Sequence, residues 1–426
     1  MHLLGGLAKR IGWGLGDQAF SSLTNFALGV AVARLVSASD FGAYAIAFAT
    51  YLVALNVTRQ LAAQPLGIRY SHVEPREWRR VTGAAVGLVL VLAVAMGVLC
   101  VLVGAAVGGA LGDGLLAMGV TLPGLLAQDA WRLAFFAAGR GAAALANDVV
   151  WALILIPAIA TLKLTGTATL FSIIVTWGLS ASAAALVGGA QSRVWPAPRQ
   201  AGRWLRQNRD IGFRYLASEL TSMGATQIVL YVVGAIAGLA AAGSLRAAQL
   251  LMGPVNILSQ GVYVASVPEA ARLFRTSRRR FGQACVLVSI GITGGALATV
   301  AAILVAPDVI GPLFLGDSWG GAAIVFGPVA VMFLFRGAAI GGRIGLLSMG
   351  AAPRMLRLSV LDAVLSIVAG VIGTLAWGVV GAATGLAIVA AVMSVFWWSG
   401  LRAALVECTD EAALLPAEGT SMPGGA

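Results

Sequence analysis

The chain is a succession of apolar stretches, each about as long as a bilayer is thick, joined by connections too short to fold alone. A helical crossing of the hydrocarbon takes about 20 mostly apolar residues, because no water is there to satisfy unpaired backbone groups. Such windows lie near 12–34, 43–67, 82–107, 115–138, 143–162, 168–190, 213–238, 244–266, 283–306, 323–347, 358–377 and 380–400. Spans of this number leave no room in 426 residues for a sizeable soluble domain. A hydrophobic content of 59% with only 11% charged residues excludes a water-soluble globular protein. The 55 glycines, well above the usual ~7%, let helices approach closely in lipid, where packing rather than the hydrophobic effect holds them together. The expected fold is an all-α polytopic membrane protein of about 12 transmembrane helices, in two parallel six-helix repeats around a central cavity.

Charge sets the orientation. If the N-terminus is cytoplasmic, 21 of the 28 Lys and Arg residues fall on cytoplasmic connections and ends, and only Arg34 and Lys163 fall outside. Arg59, Arg132, Arg246, Arg336 and Arg343 lie within spans. That bias follows the positive-inside rule and puts both termini in the cytoplasm of a multi-pass protein. The formal charge of +11 therefore sits between apolar runs rather than on a soluble basic face, so no nucleic acid partner is expected. Cys100, Cys285 and Cys408 are odd in number and far apart, and His2 and His72 have no partner pattern, so neither a disulfide framework nor a metal site is expected. Lys9 and Arg10 look like the start of a signal peptide. The segment after them carries Asp17, Gln18 and Asn25 and lacks a small-residue cleavage site, so it reads as a retained first helix.

The longest connection, at 191–212, divides the chain near its midpoint. Arg199, Arg203, Arg206 and Trp204 suit a short helix on anionic headgroups; a solvated basic linker accounts for the same residues. The expected division is a six-helix lobe at 1–190, the cytoplasmic basic linker at 191–212, a second six-helix lobe at 213–402 and a disordered cytoplasmic tail at 403–426. The lobes echo each other. Gln18, Ser21 and Asn25 recur as Glu219, Ser222 and Thr226 at an offset of 201; Asn56 and Gln60 recur as Asn256 and Gln260 at 200; Arg132 precedes Gly139 by seven residues, as Arg343 precedes Gly350. Carriers commonly place their substrate path between such repeats.

The run from Arg34 to Ala45 (RLVSASDFGAYA) resembles the first external loop and second-helix start of the polysaccharide (O-antigen type) flippases, in the multidrug/oligosaccharidyl-lipid/polysaccharide exporter superfamily. Gly243 to Ala248, leading to Val267-Pro268-Glu269-Ala270, is similar to that family's eighth helix, with Leu245 where an aromatic is frequent. Met349 to Arg354 looks like its loop after helix ten. The resemblance reaches about residue 400. It implies a non-enzymatic, alternating-access carrier in a bacterial inner membrane that moves a polyprenyl-diphosphate-linked oligosaccharide to the external leaflet. The implied partners are that lipid-linked oligosaccharide, the membrane lipids, and polymerase or assembly proteins of polysaccharide synthesis. No cofactor is implied.

Charge within lipid costs about 2.5–3.5 kcal/mol per residue on insertion scales, so such residues seek protein or a wet cavity. Arg336, near mid-span, is the first candidate for the cavity. Arg59, Arg132 and Arg343 sit within about two turns of the cytoplasmic ends and Arg246 near the external end, so snorkelling and a lumen role both stay open for these four. A guanidinium in a wet cavity presents forked donors that match phosphate oxygens. Asn25, Asn56, Gln60 and Gln64 offer amides for sugar hydroxyls or for bonds between helices. Asp129 and Arg132, three apart, are placed for an ion pair within one helix. Asp17 and Glu219 are coupling-ion candidates, with pairing to nearby arginines as the alternative. A drug or metabolite cation antiporter of the same superfamily, and a membrane glycosyltransferase or polymerase, are the rival functions. No paired-carboxylate, Ser/His/Asp or phosphate-cradling glycine constellation supports the enzyme.

Overall fold

The computed structural model describes residues 2–70 and 73–414, with the side chains of 2–15, 218, 220–223, 264 and 408–414 left out. His72, the Ser222 side chain and the end of the tail thus lie outside the described residues. Helices and short turns account for the fold, and no strand occurs among the described residues. The first half holds α1 (His2–Leu35), α2 (Ala38–Thr58), a π-helical turn (Arg59–Ala63), α3 (Gln64–Arg69), α4 (Pro75–Val107), α5 (Gly109–Ala137), α6 (Gly141–Leu164) and α7 (Leu170–Ser192). The second half holds α8 (Ala201–Ile236), α9 (Leu239–Leu251), α10 (Gly253–Thr276), α11 (Arg278–Val305), α12 (Pro307–Leu315), α13 (Trp319–Ser348) and α14 (Ala352–Leu414).

Among the described residues, eight helical stretches, two of them joining neighbouring elements, are long and apolar enough to cross a membrane, or nine if the pair α9 and α10, bent by 56°, is one span. α14 is two passes. Its backbone leaves the helix at Trp377 and Gly378, where Gly378 takes φ 60 and ψ −141, a conformation essentially closed to residues with a Cβ. The limbs then fold back, so that Gly373 faces Gly381 and Gly385 faces Ala369. Counting those limbs separately and adding α1 and α8, which fall outside those apolar stretches, gives twelve candidate passes.

Three helices differ from the expected spans. The predicted second span is interrupted by the π-turn, for a reason traced below to Pro65. The eighth breaks at Met252, just before Gly253-Pro254. The linker is not a separate helix, because α8 runs unbroken from Ala201 through the seventh span. At the end of the chain, helix persists to Leu414 although the residues after Glu407 show no hydrophobic period.

In the first lobe α5 packs against α2, α4, α6 and α7; in the second, α13 packs against α9, α11 and α14. The lobes meet at the end that holds the α1–α2 and α8–α9 connections, which is poor in arginine. There Ser318 Oγ donates to Ala33 O (3.2 Å) and an Arg34 guanidinium nitrogen donates to Leu313 O (2.8 Å). Phe26 packs on Phe314 with ring centroids 6.1 Å apart. α2 and α9 cross at glycine: a Cβ on Gly42 would overlap the Leu239 carbonyl, and one on Gly243 would lie 2.7 Å from Ala38 O. These two glycines are 201 residues apart, the repeat offset. One large apolar core runs through the first lobe and this junction, and a second, smaller core around Phe281, Cys285, Ile344, Trp397 and Leu401 stands apart in the arginine-rich half of the second lobe.

Candidate functional site

Four elements of the first lobe bring their charged side chains to one point. Arg59, at the start of the π-turn, grips Asp129 of α5 with two bonds, Nε to Oδ2 at 2.8 Å and Nη2 to Oδ1 at 2.5 Å. Arg132, one turn further along α5, donates from Nε to Asp17 Oδ2 of α1 (2.7 Å) and from Nη2 to Gln18 Oε1 (3.1 Å). Its guanidinium is also 3.5 Å from Asp129 Oδ1 and 3.5 Å from Asp148 Oδ2 of α6. Gln128 Nε2 donates to Asp148 Oδ1 (2.7 Å), and Asn147 Nδ2 donates to Ala184 O of α7 (2.8 Å). The expected Asp129–Arg132 pair within α5 is therefore the longer contact, and the short ones run between helices. Asp17, Asn147 and Asp148 are almost wholly buried.

The cluster is unbalanced. Three carboxylates meet two guanidiniums, so with all five ionised one negative charge is left in a dry site. Asp17 Oδ1 and Asp148 Oδ2 are buried and accept no hydrogen bond from the described residues. A buried charge needs a partner, although among the described residues no group of three or more His, Cys, Asp or Glu side chains is placed to hold a metal ion.

The second lobe has the opposite polarity. Among the described residues, Arg246, Arg336 and Arg343 reach no carboxylate within 4.0 Å. Arg246 of α9 lies across the lobe boundary, its guanidinium carbon 4.9 Å from the centre of the Phe48 ring on α2, and Arg343 lies 4.9 Å over the Trp397 ring. Arg336 and Arg343, seven residues apart and so two turns along α13, share a face. Arg336 is exposed at its own surface yet surrounded by protein farther out, with Asp362 of α14 in electrostatic reach.

The remaining candidates are spread out. Asn25 and Asn56 donate within their own helices, to Ser21 O (2.9 Å) and Leu52 O (2.9 Å). Gln60 is buried, with Oε1 unpartnered among the described residues, and Gln64 is exposed. Glu219 is half-buried on α8 within electrostatic reach of Arg59 and of Tyr263 on α10. Asp148, Gln128 and Asn147 escaped assignment from sequence, although the side-by-side amide and carboxylate of Asn147 and Asp148 inside an apolar window were a signal. Also unanticipated is the ring series Phe41, Tyr44, Phe48 and Tyr51 on α2, three and four residues apart, which stacks down to Trp177 of α7.

No family model and no curated protein matches this sequence. Solved structures do. An inward-facing multidrug-resistance MATE transporter of the MOP superfamily aligns with a TM-score of 0.71 at 15% identity, over 92% of this chain and 96% of that one. The lipid II flippase MurJ in an inward closed conformation gives 0.69 at 13%, over 91% and 86%. An outward-facing MATE transporter gives 0.58 at 15%, over 94% and 96%. The chain therefore has the fold of the MOP-superfamily transporters. These neighbours are transporters and flippases, not enzymes.

Proposed function

We propose that this protein carries a polyprenyl-diphosphate-linked oligosaccharide across a bacterial cytoplasmic membrane by alternating access, without making or breaking a bond. One observation carries the choice of an anionic cargo: the in-span arginines of the first lobe, Arg59 and Arg132, are consumed by carboxylates, whereas among the described residues Arg246, Arg336 and Arg343 of the second lobe reach none within 4.0 Å. Arg246 and Arg343, held by rings rather than by carboxylates, keep their forked donors for phosphate oxygens. Spread over two helices, they hold a diphosphate loosely enough to release it. The prenyl chain stays in lipid, and the arginine-rich end faces the cytoplasm.

The unbalanced cluster around Asp17 and Asp148 supports a coupling site for a proton or monovalent cation, with Asp17 in the role assigned to it from sequence. The same cluster favours a second reading, a cation-coupled drug antiporter, which the MATE neighbours share. The experiment is reconstitution in vesicles with a fluorescent polyprenyl-diphosphate oligosaccharide whose leaflet is read by a membrane-impermeant quencher. Arg336→Ala is expected to slow flipping at least about tenfold, equivalent to the loss of ~1.4 kcal/mol, and Arg336→Lys to restore part of it. Flipping at the full rate by Arg336→Ala, with normal protein incorporation, removes the anionic-cargo reading. Efflux of a cationic dye without any lipid flipping selects the antiporter.

A further inference from the structure

The π-turn after α2 has a local cause. Pro65 has no N–H, so the Leu61 carbonyl, four residues back, loses the donor an α-helix would give it, and the proline ring crowds that carbonyl as well. The helix widens, and Gln64 N–H closes on Arg59 O instead. The orphaned Leu61 oxygen is taken by the other half of the chain: Trp204 Nε1, near the start of α8, donates to it at 3.3 Å in a buried setting.

The rest of the linker helix is fastened around that bond. Arg69 of α3 donates to Gln207 O (2.7 Å), to Asn208 Oδ1 (3.3 Å) and to Asp210 Oδ2 (2.5 Å). Desolvation alone would raise the Asp210 carboxyl; the Arg69 hydrogen bond outweighs it and holds the group below the ordinary carboxylate range. Tyr70 lies against the Trp204 ring at 5.4 Å, and Gly212 brings α8 onto Leu61 with room for no more than a tight Cβ contact at 3.3 Å. From there α8 continues unbroken to Ile236 and packs on α14 through Val229 and Gly370. The first residue of the same π-turn is Arg59, clamped on Asp129.

We infer that the π-turn at Arg59–Ala63 is the joint through which the charge cluster of the first lobe acts on α8 and so on the second lobe, with Trp204 as the positioning residue. Groups facing Arg59 and its partners are Asp17 and Gln18 on α1, Tyr51 on α2, Asp129 and Arg132 on α5, Asp148 on α6 and Glu219 on α8. While Asp129 holds Arg59, the wide turn and its free acceptor are fixed under Trp204. When Asp129 lets go, Pro65 still keeps the turn wide, but its start is no longer held on α5; the turn is free to shift, Leu61 O moves away from the indole, and α8 loses its anchor. Single π-turns inside α-helices occur frequently at functional sites.

The inference rests on the alternating-access reading, and the experiment separates the two. The full chain, with Cys100, Cys285 and Cys408 replaced, is spin-labelled at Ala142→Cys and Arg279→Cys, exposed positions of the two lobes at the arginine-rich end, and inter-lobe distances are measured in nanodiscs. Asp129→Asn, which frees Arg59, is expected to shift the distance distribution. Adding Trp204→Phe, or Pro65→Ala to return the missing N–H, is expected to abolish that shift while the thermal midpoint shows that the chain stays folded. A shift of the same size in both double variants, or no shift from Asp129→Asn with Trp204 in place, overturns the inference. If the distance also ignores every cargo and cation tried, with flipping absent, it is the transport reading that fails.

Discussion

Arg132 touches three carboxylates from three helices, so its loss leaves uncompensated charge in a dry site rather than one broken bond. Truncating one partner of a buried ion pair costs ~3–5 kcal/mol, whereas replacing both members with apolar residues of similar volume is often neutral. Arg132→Ala is therefore expected to destabilise the protein by about that amount, read by unfolding in detergent. Arg59→Met and Asp129→Leu together are expected to be milder than either alone. The individual charges were legible in the sequence because ionisable residues stand out in apolar windows. Their pairing was not, since spacing along one helix makes Asp129 and Arg132 the natural couple, while the bonds to Asp17 and Arg59 depend on how α1, the π-turn and α6 are placed around α5.

At the scale of elements, the crossing of α2 and α9 is the part of the fold least tolerant of added volume. Gly42→Leu places side-chain atoms where the Leu239 backbone lies, so the two helices must separate. Labels at the arginine-poor end are expected to become more accessible to impermeant reagents, and flipping to stop with protein levels retained. Gly291→Ala is the contrast: nothing lies within 4 Å of its Cβ, and a helical glycine replaced without strain is expected to stabilise by about 0.4–1 kcal/mol. The windows of the sequence located nearly every helix because each apolar run matches a bilayer thickness. They run through the breaks, which in the sequence are marked by Pro65 and Pro254, as Pro123 and Pro328 mark other bend candidates; that the first becomes a π-turn and the second a 56° bend depends on which neighbour supplies the missing donor. The α8 continuation was hidden for another reason: its first turns are polar on the outside and buried through Trp204, a pattern that hydropathy averages away.

For the whole molecule, the asymmetry of charge between ends fixes an orientation that labelling can check. A cysteine replacing Lys163 is expected to react with an impermeant maleimide added to intact cells, and one replacing Arg199 only after the membrane is opened. Equal reaction at both sites from outside would reverse the assignment of the ends. The two-lobed plan was visible in the offset of 201 residues, which the Gly42–Gly243 crossing now gives a physical meaning, whereas the opposite polarity of the lobes needed the coordinates, because it depends on which arginines carboxylates reach. The acidic cluster also constrains how the chain is made. Asp17 is synthesised 115 residues before Arg132, its nearest cationic partner, and a lone carboxylate is poorly tolerated in hydrocarbon. The first helix therefore cannot partition into lipid on its own merits. It has to wait beside the insertion machinery until the fifth and sixth helices emerge, so ribosomes stalled ahead of Arg132 should leave it extractable by alkali, and those stalled beyond Asp148 should not.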